Sequence, residues 1–387
     1  HEGPVGLIPI NRNIDESVIS LSEECVAIAK DDWDSKETSW DFKRHQLSSY
    51  QGAVEVAIKD ILDRARDKTG RVKECEERIN EIVINSYGLN KEISPYVSAS
   101  AITLDNNIHF AYSSILEETD KVKAYISDLF AEFISYSIGV MFGRYSLDVN
   151  GLVYAHSGNV GFSDLVKEGK YETFPVDDDG IIPLTDQEWF PDDATNRFRD
   201  FVNVVWGEYH LQENLDFVAD SLCLHAIKPK KSESSIDTIR RYLSTQFYKD
   251  HLKTYKKRPI YWLFSSGKQK AFECLVYLHR YNEGTLARMR TEYVIPLTAK
   301  MAAYAQKLEN DKEASGSAAE VKRLEKEIAQ LHKQQAELSE FDEKLRHYAD
   351  QRISLDLDDG VKANYGKFGD LLAEVKAITG EAPEALS

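Results

Sequence analysis

A chain of 387 residues, 42% of them hydrophobic, is long enough for two or three ordinary domains and too apolar to be disordered. The sequence has no apolar run of about 18 residues and no secretory leader, so we expect a cytoplasmic protein without a membrane partner. Its formal net charge of −17 would by itself argue against a nucleic-acid partner.

The cysteines lie far apart and form no C-x-x-C pair, which argues against a zinc ribbon or a disulfide framework. The chain begins with His1 rather than Met, and we therefore expect it to be a fragment or a processed piece of a longer protein.

The first 150 residues show helical periodicity. Apolar residues recur at spacings of three and four in residues 15–30 and 53–86, and we predict that Gly70 divides the second segment into two helices. Gly88 is the expected C-terminal cap. Residues 121–142 are apolar around more than half of the helix circumference, which predicts a buried helix.

Residues 172–193 contain eight acidic residues and no lysine or arginine, a composition that predicts a solvated acidic connector. Helical periodicity returns in residues 195–206, 211–223 and 235–247. The connector therefore precedes a second group of predicted helices.

Two short runs are typical of strands. Residues 260–264 form an aromatic-rich apolar run, and apolar residues alternate through residues 272–278. Because Ser265-Ser266-Gly267-Lys268 separates the runs with small and basic residues, we predict a basic β-hairpin.

The C-terminal part again favours helices. A helix is predicted from Thr285 to Pro296, continuing either kinked or restarted to about Asn310, and a turn at Ser315-Gly316-Ser317. A long helix is predicted from Val321, because its apolar residues alternate in steps of three and four. These segments predict a long helical hairpin that resembles a coiled coil.

The predicted fold class is therefore α+β and predominantly helical. We divide the chain into a helical region over residues 1–150, a small mixed recognition region over 151–297, and a helical hairpin with a tail over 298–387.

No self-contained catalytic or metal site is recognisable. The acidic clusters fail the calcium-loop pattern, because Pro175 or Leu355 takes the first ligand position when Gly180 or Gly360 is aligned with the invariant glycine. The histidines show no metal-ligand spacing, and the common hydrolase, dinucleotide and phosphate-loop motifs are missing. We predict no catalytic residue, metal or cofactor in this chain.

Positive charge is concentrated between Lys228 and Arg290, where fifteen lysines and arginines stand against five acids. The net charge of this segment is +10, which leaves −27 on the rest of the chain. Because screening acts over about 8–10 Å at physiological salt, the segment can form a basic surface on an acidic protein. Solvated helix faces without a binding role are the competing interpretation.

Fourteen of these side chains are candidate DNA contacts, since lysine and arginine neutralise phosphates. They are Lys228, Lys230, Lys231, Arg240, Arg241, Lys253, Lys256, Lys257, Arg258, Lys268, Lys270, Arg280, Arg288 and Arg290.

Six aromatic residues lie among these charges. Aromatic rings can stack on bases, but beside a strand they are more often core residues, and both interpretations stay open. They are Tyr248, Tyr255, Tyr261, Trp262, Tyr277 and Tyr281.

Several long strings resemble the C-terminal part of the PglX family, the adenine-specific DNA methyltransferases of BREX phage-defence systems. The strings are FISYSIGVMFGRYSLD (133–148), GIIPLTDQEWFPDDATNRF (180–198), KRPIYWLFSSGKQKAFECLVYLHRYNEGTLARMRTEYVIPL (257–297) and DDGVKANYGKFGDLL (358–372). Residues 79–89, INEIVINSYGL, resemble a helical element of the wider group of single-chain restriction-modification methyltransferases.

The resemblance implies a bacterial DNA-binding and target-recognition portion, with double-stranded DNA and an N-terminal methyltransferase domain as partners. The family's N-P-P-[YF] motif and its glycine-rich S-adenosylmethionine loop are missing from this sequence. The cofactor is thus expected on that separate domain, and this chain is expected to be inactive alone. Other BREX proteins and acidic DNA-mimic inhibitors are further implied partners.

Two functions remain in view. The first is DNA recognition for an N6-adenine methyltransferase. The alternative is an interaction module that docks other defence proteins through the helical hairpin and the acidic surface. A free-standing enzyme is the least favoured interpretation.

Overall fold

The computed structural model describes residues 15–155 and 161–383, which form a predominantly helical α+β structure, as predicted. The helices are α1 (Ser17–Asp34), α2 (Val54–Tyr87), α3 (Ile108–Ala111), α4 (Glu118–Met141), α5 (Phe162–Lys167), α6 (Ala194–Trp206), α7 (Leu211–Leu222), α8 (Ser235–Tyr242), α9 (Tyr248–Thr254), α10 (Thr285–Arg288), α11 (Ile295–Ala314), α12 (Ala318–Asp350), α13 (Gly360–Gly366) and α14 (Val375–Thr379). The strands are β1 (Ile181–Pro183), β2 (Tyr261–Ser265) and β3 (Glu273–Tyr277). Among the described helices, none is long and apolar enough to cross a membrane.

Two π-helical turns, Leu243–Phe247 and Met289–Val294, join α8 to α9 and α10 to α11. Short 3₁₀ segments connect other elements. They are Gln46–Ser49, Ala99–Ala101, Glu208–His210, Leu357–Asp359 and Gly369–Leu371.

Helix α2 runs without interruption through Gly70, so the predicted division into two helices is wrong. A helical glycine costs about 1 kcal/mol relative to alanine, and packing on one face offsets that cost. Here Val72 belongs to a buried cluster against which Cys25 and Ile28 of α1 pack. The predicted cap at Gly88 is confirmed, since this residue ends α2 with a left-handed φ of 68°.

Helix α4 is buried, as its apolar circumference predicts. Phe130, Phe133 and Ile138 are fully inaccessible to solvent. The ring of Phe133 stacks on Trp206 of α6 with 4.7 Å between centroids. The helix therefore lies within the core rather than on its edge.

The strands form one antiparallel sheet in the order β1-β3-β2. The predicted hairpin is confirmed, with Leu263 of β2 opposite Leu275 of β3. Strand β1, which the sequence analysis did not predict, pairs Ile181 with Val276 on the other side of β3.

The acidic stretch that contains β1 is not a solvated connector, and that prediction is wrong. Ile181 and Ile182 are fully buried, and Asp177 and Asp193 are also buried. The Asp177 carboxylate accepts the backbone N–H of Gly180 at 2.6 Å. Acidic composition failed to predict exposure here because these two carboxylates satisfy backbone N–H groups inside the protein.

Helices α11 and α12 form the predicted helical hairpin. Tyr304 donates to Glu327 at 2.6 Å, and Arg290, just before α11, donates to Asp342 at 3.0 Å. The later residue of the first segment therefore contacts the earlier residue of α12, which shows that the two helices run antiparallel.

The principal core cluster includes residues from all three predicted regions, and the division at residues 150 and 297 stays a prediction.

A buried ion pair links α8 to the start of α6. Asp193 is fully buried, accepts the Asn196 N–H as the cap of α6, and pairs with Arg240. We predict that Asp193→Asn, which keeps an oxygen for the cap, lowers the free energy of unfolding by about 3 kcal/mol, because it leaves a buried guanidinium without its charge partner. Urea denaturation measures this change.

The control is Arg323→Met, which removes ion pairs of an exposed arginine with Glu320 and Glu327 and should change the unfolding free energy little. The double variant Asp193→Asn/Arg240→Met should recover part of the loss. Equal effects of Asp193→Asn and Arg323→Met would contradict the importance of the buried pair.

Candidate nucleic-acid interface

The predicted basic hairpin is part of the core. Tyr261, Phe264 and Tyr277 are fully buried, and Trp262 is 1% exposed. Trp262 packs edge-on against Tyr365, with 5.2 Å between ring centroids. The strands of the hairpin therefore offer no face to DNA.

The turn of this hairpin is held by α12. The Glu337 carboxylate accepts the Ser266 hydroxyl and the Gln269 backbone N–H, each at 2.7 Å. Lys268 remains exposed at the turn, whereas Lys270 donates to the Ser244 carbonyl at 2.6 Å. One lysine of the pair is thus committed to a contact inside the protein.

The aromatic residues among the charges are mainly core residues. Tyr248, Tyr261, Trp262 and Tyr277 are buried, so the core interpretation is confirmed for these four. The half-buried Tyr255 donates its hydroxyl to Glu37 at 2.8 Å. The half-buried Tyr281 donates to the Ile353 carbonyl.

Seven of the fourteen candidate cations contact other side chains of the protein, which makes them less available to DNA. Arg240 is buried against Asp193, and Arg280 lies 4.0 Å above the Phe162 ring. The other five form salt bridges. The salt-bridged residues are Lys230 and Arg241 with Glu233, Lys270 with Glu273, Arg288 with Glu292, and Arg290 with Asp342.

The other seven cations are exposed and form no salt bridge within residues 15–155 and 161–383. Lys228 and Lys231 lie in the loop between α7 and α8, and Lys268 lies in the hairpin turn. The remaining four form a group at the end of α9. These are Lys253, Lys256, Lys257 and Arg258, which we call the basic turn.

The backbone of the basic turn is unusual. Lys256 and Lys257 have positive φ angles of 50° and 60°, a region that costs a lysine about 1 kcal/mol or more. The Lys257 N–H donates to the Leu252 carbonyl at 2.7 Å and closes the helix end. Consecutive strained lysines indicate that the surrounding structure fixes this conformation.

His251 anchors the basic turn to the sheet. Its Nε2 atom accepts the backbone N–H groups of Ile260 and Tyr261 at 3.1 and 3.2 Å. Burial, together with the nearby Arg144 charge, lowers the pKa of this imidazole to about 3. The ring is therefore neutral at physiological pH and able to act as an acceptor.

A turn with four exposed cations can bind an anionic polymer by phosphate neutralisation. It has no means of catalysis by itself. In the described parts of the chain, no three His, Cys, Asp or Glu side chains are grouped to hold a metal ion.

No protein-family model matches the chain. It is 53% identical over 384 residues to the adenine-specific methyltransferase BrxX of Escherichia coli O9:H4 (strain HS), covering 99% of this chain and 32% of that protein. This chain is homologous to part of the BrxX and PglX methyltransferases. The adenine-specific methyltransferase PglX of Lacticaseibacillus casei (strain Zhang) is 36% identical over 386 residues, covering 97% of this chain and 29% of that protein.

The chain thus spans about a third of the length of its BrxX and PglX relatives. These relatives confirm the resemblance of the sequence strings to the PglX family.

The sequence did not reveal His251 and Glu37 as residues that contact the segment around the basic turn, because nothing in the local sequence of either residue signals a distant contact.

Replacing His251 with glutamine should weaken the pH dependence of stability. The unfolded imidazole has a pKa near 6.5 and the folded one about 3, so the unfolded chain binds the additional proton between these values. The contribution of neutral His251 to the free energy of unfolding is fully present above about pH 6.5 and is lost as the pH falls toward 3. We expect the slope of unfolding free energy against pH to decrease by about 1.4 kcal/mol per unit in His251→Gln.

Urea unfolding between pH 6.5 and 4 measures the slope. The control is His332→Gln, because His332 is exposed on α12 and its loss should leave the slope as in the unaltered chain. An unchanged slope in His251→Gln would contradict a buried, neutral His251.

Proposed function

We propose that this chain is the DNA-binding and target-recognition portion of an S-adenosylmethionine-dependent, N6-adenine-specific DNA methyltransferase of a BREX phage-defence system. The observation that carries the proposal is the basic turn, Lys253, Lys256, Lys257 and Arg258, on a protein whose net charge is −17. The homology to proteins named adenine-specific methyltransferases supports it.

In this proposal the basic turn binds DNA phosphates and supplies affinity without sequence preference. Lys268 of the hairpin turn and Lys228 and Lys231 of the preceding loop are additional exposed cations that extend the interface. The fixed backbone of the turn reduces the entropy cost of binding. No base is assigned to any of these side chains.

We assign the methyl-transfer reaction to another part of the full-length protein. This sequence contains neither an N-P-P-[YF] motif nor the glycine-rich loop of the family, and we propose that S-adenosylmethionine binds outside it. An adenine extruded from the duplex would react there, while this chain holds the flanking DNA. Acidic DNA-mimic inhibitors would compete for the basic turn.

A second observation favours contact with the methyltransferase part of the same protein. Ile19, Val26 and Trp33 lie seven residues apart on α1 and are 61%, 67% and 54% exposed. Residues spaced by seven share one face of a helix, so they form an apolar stripe. We propose that this stripe packs against the methyltransferase domain.

The alternative of docking other BREX proteins through the helical hairpin and the acidic surface stays a prediction. The burial of Asp177 and Asp193 removes two carboxylates from that acidic surface. The outer face of α12 keeps exposed charges, including Lys322 and Lys326, that such a partner could use.

Removing charge from the basic turn should weaken binding to all duplex sequences alike. The variant Lys256→Asn/Lys257→Asn/Arg258→Gln uses asparagine because it tolerates positive φ. We expect the slope of log affinity against log salt to become shallower by about 0.9 for each phosphate that the variant no longer neutralises. Fluorescence anisotropy with labelled duplexes at several salt concentrations measures both quantities.

The matched control is Lys322→Gln/Lys326→Gln/Lys333→Gln, which removes the same charge from exposed positions on α12. It should leave affinity and slope close to those of the unaltered chain. Equal effects of the two triple variants would refute a specific role for the basic turn.

Polar substitution of the stripe should weaken association with the separately expressed methyltransferase part. We expect Ile19→Gln/Val26→Gln/Trp33→Gln to raise the dissociation constant at least about tenfold, because apolar surface is no longer buried. Isothermal titration calorimetry measures the constant. Val56→Gln, at a 71% exposed position on α2, is the control and should have no effect.

A further inference from the structure

A cavity of about 660 Å³ lies between residues 35–45, α4 and the α8–α9 segment. Its volume is in the range of sites that hold small molecules. Its exposed lining residues include Asp105, His225 and Lys253, and its buried lining residues include His45 and His251.

The lining carries more carboxylates than cations. Five carboxylates line the cavity, against the lysines Lys36 and Lys253. The carboxylates are Glu37, Asp105, Asp128, Glu132 and Asp250.

Only one of these carboxylates forms a salt bridge within the described residues, namely Glu132 with Lys36 at 2.9 Å. Asp128 accepts the Tyr112 hydroxyl at 2.7 Å, and Asp250 accepts the Tyr242 hydroxyl at 2.9 Å. Burial raises the pKa of Asp250, and the hydrogen bonds from Gln246 and Tyr242 and the charge of Lys253 only partly oppose this effect. A bound cation would relieve this unfavourable burial of charge.

Two imidazoles provide an independent observation. His45 and His251 are 3% and 2% exposed, and both line the cavity. In each ring one nitrogen is a hydrogen-bond acceptor: Nδ1 of His45 accepts the Leu47 N–H, and Nε2 of His251 accepts those of Ile260 and Tyr261. The proton of each neutral ring therefore lies on the other nitrogen. Those nitrogens, Nε2 of His45 and Nδ1 of His251, have no hydrogen-bond partner among the described residues.

A buried donor without a partner is costly, and a ligand oxygen that accepts its hydrogen bond would remove that cost. Aromatic rings complete the lining, including Phe42, Tyr125 and Tyr136. Aromatic faces attract organic cations, especially where acidic groups lie nearby.

We propose that this cavity binds a small organic cation that also carries a hydrogen-bond acceptor oxygen. The cationic group lies toward Asp128 and Asp250, and the oxygen accepts a hydrogen bond from His45 or His251. The inference does not depend on DNA binding, because none of its ligand contacts uses the exposed cations of the basic turn.

Acetylcholine is a suitable probe because it combines a permanent positive charge with an ester carbonyl. Its uncharged isostere, 3,3-dimethylbutyl acetate, has nearly the same shape. Titrated into the full chain and followed by NMR of alanine methyl groups, acetylcholine should shift Ala111 and Ala131, which line the cavity, and not the exposed Ala287 of α10. We expect it to bind at least about tenfold more tightly than the isostere.

The variant Asp128→Asn/Asp250→Asn keeps oxygens for the two tyrosine hydroxyls and removes two charges. It should weaken acetylcholine binding about tenfold and leave the isostere unaffected. The matched control, Asp63→Asn/Asp120→Asn, removes two charges from salt bridges outside the cavity and should leave binding unchanged.

Several results would overturn the proposal. One is the absence of shifts at Ala111 and Ala131 with acetylcholine at millimolar concentration. Equal affinity for the isostere, or equal effects of the two aspartate double variants, would also overturn it. Because the methyl shifts are recorded on the unaltered chain, failure of a variant to fold does not prevent the test.

Discussion

Burial of the three-stranded sheet on both faces is the constraint on which the rest of the structure depends. Phe142, which follows α4, stacks on Tyr261 at 5.2 Å between centroids, and Phe272 lies 6.1 Å from Phe341 of α12. The C-terminal segment adds a bridge from Leu372 to Phe264. A sheet of so few strands is stable only when other elements cover it, and here those elements come from distant parts of the chain.

This arrangement determines where positive charge can be exposed. Charged side chains next to the sheet are neutralised in pairs, such as Lys270 with Glu273 and Arg290 with Asp342. Among the fourteen candidate cations, those without a salt bridge in the described residues lie mostly at connections between elements, above all in the basic turn. Local charge then dominates the field near that turn, although the whole protein is acidic, because salt screens the distant carboxylates.

The basic turn and the cavity share one helix. Lys253 lines the cavity and belongs to the basic turn, while His251 lines the cavity and accepts hydrogen bonds from the start of β2. The hydroxyl of Tyr255 reaches Glu37, another lining residue. Through His251 and Tyr255, hydrogen bonds therefore connect the segment around the basic turn to the start of β2 and to Glu37.

The sequence by itself determined the helical class, the buried helix α4, the β2–β3 hairpin and the helical hairpin α11–α12, because periodicity and turn residues act over short distances. The tertiary structure alone decided that α2 continues through Gly70, that the acidic residues 172–193 contain a buried strand, and that Arg240 is paired inside the protein. It also decided which seven of the fourteen candidate cations are exposed without a salt bridge in the described parts of the chain. Burial and pairing depend on contacts between residues far apart in the chain, and neither composition nor local pattern contains that information.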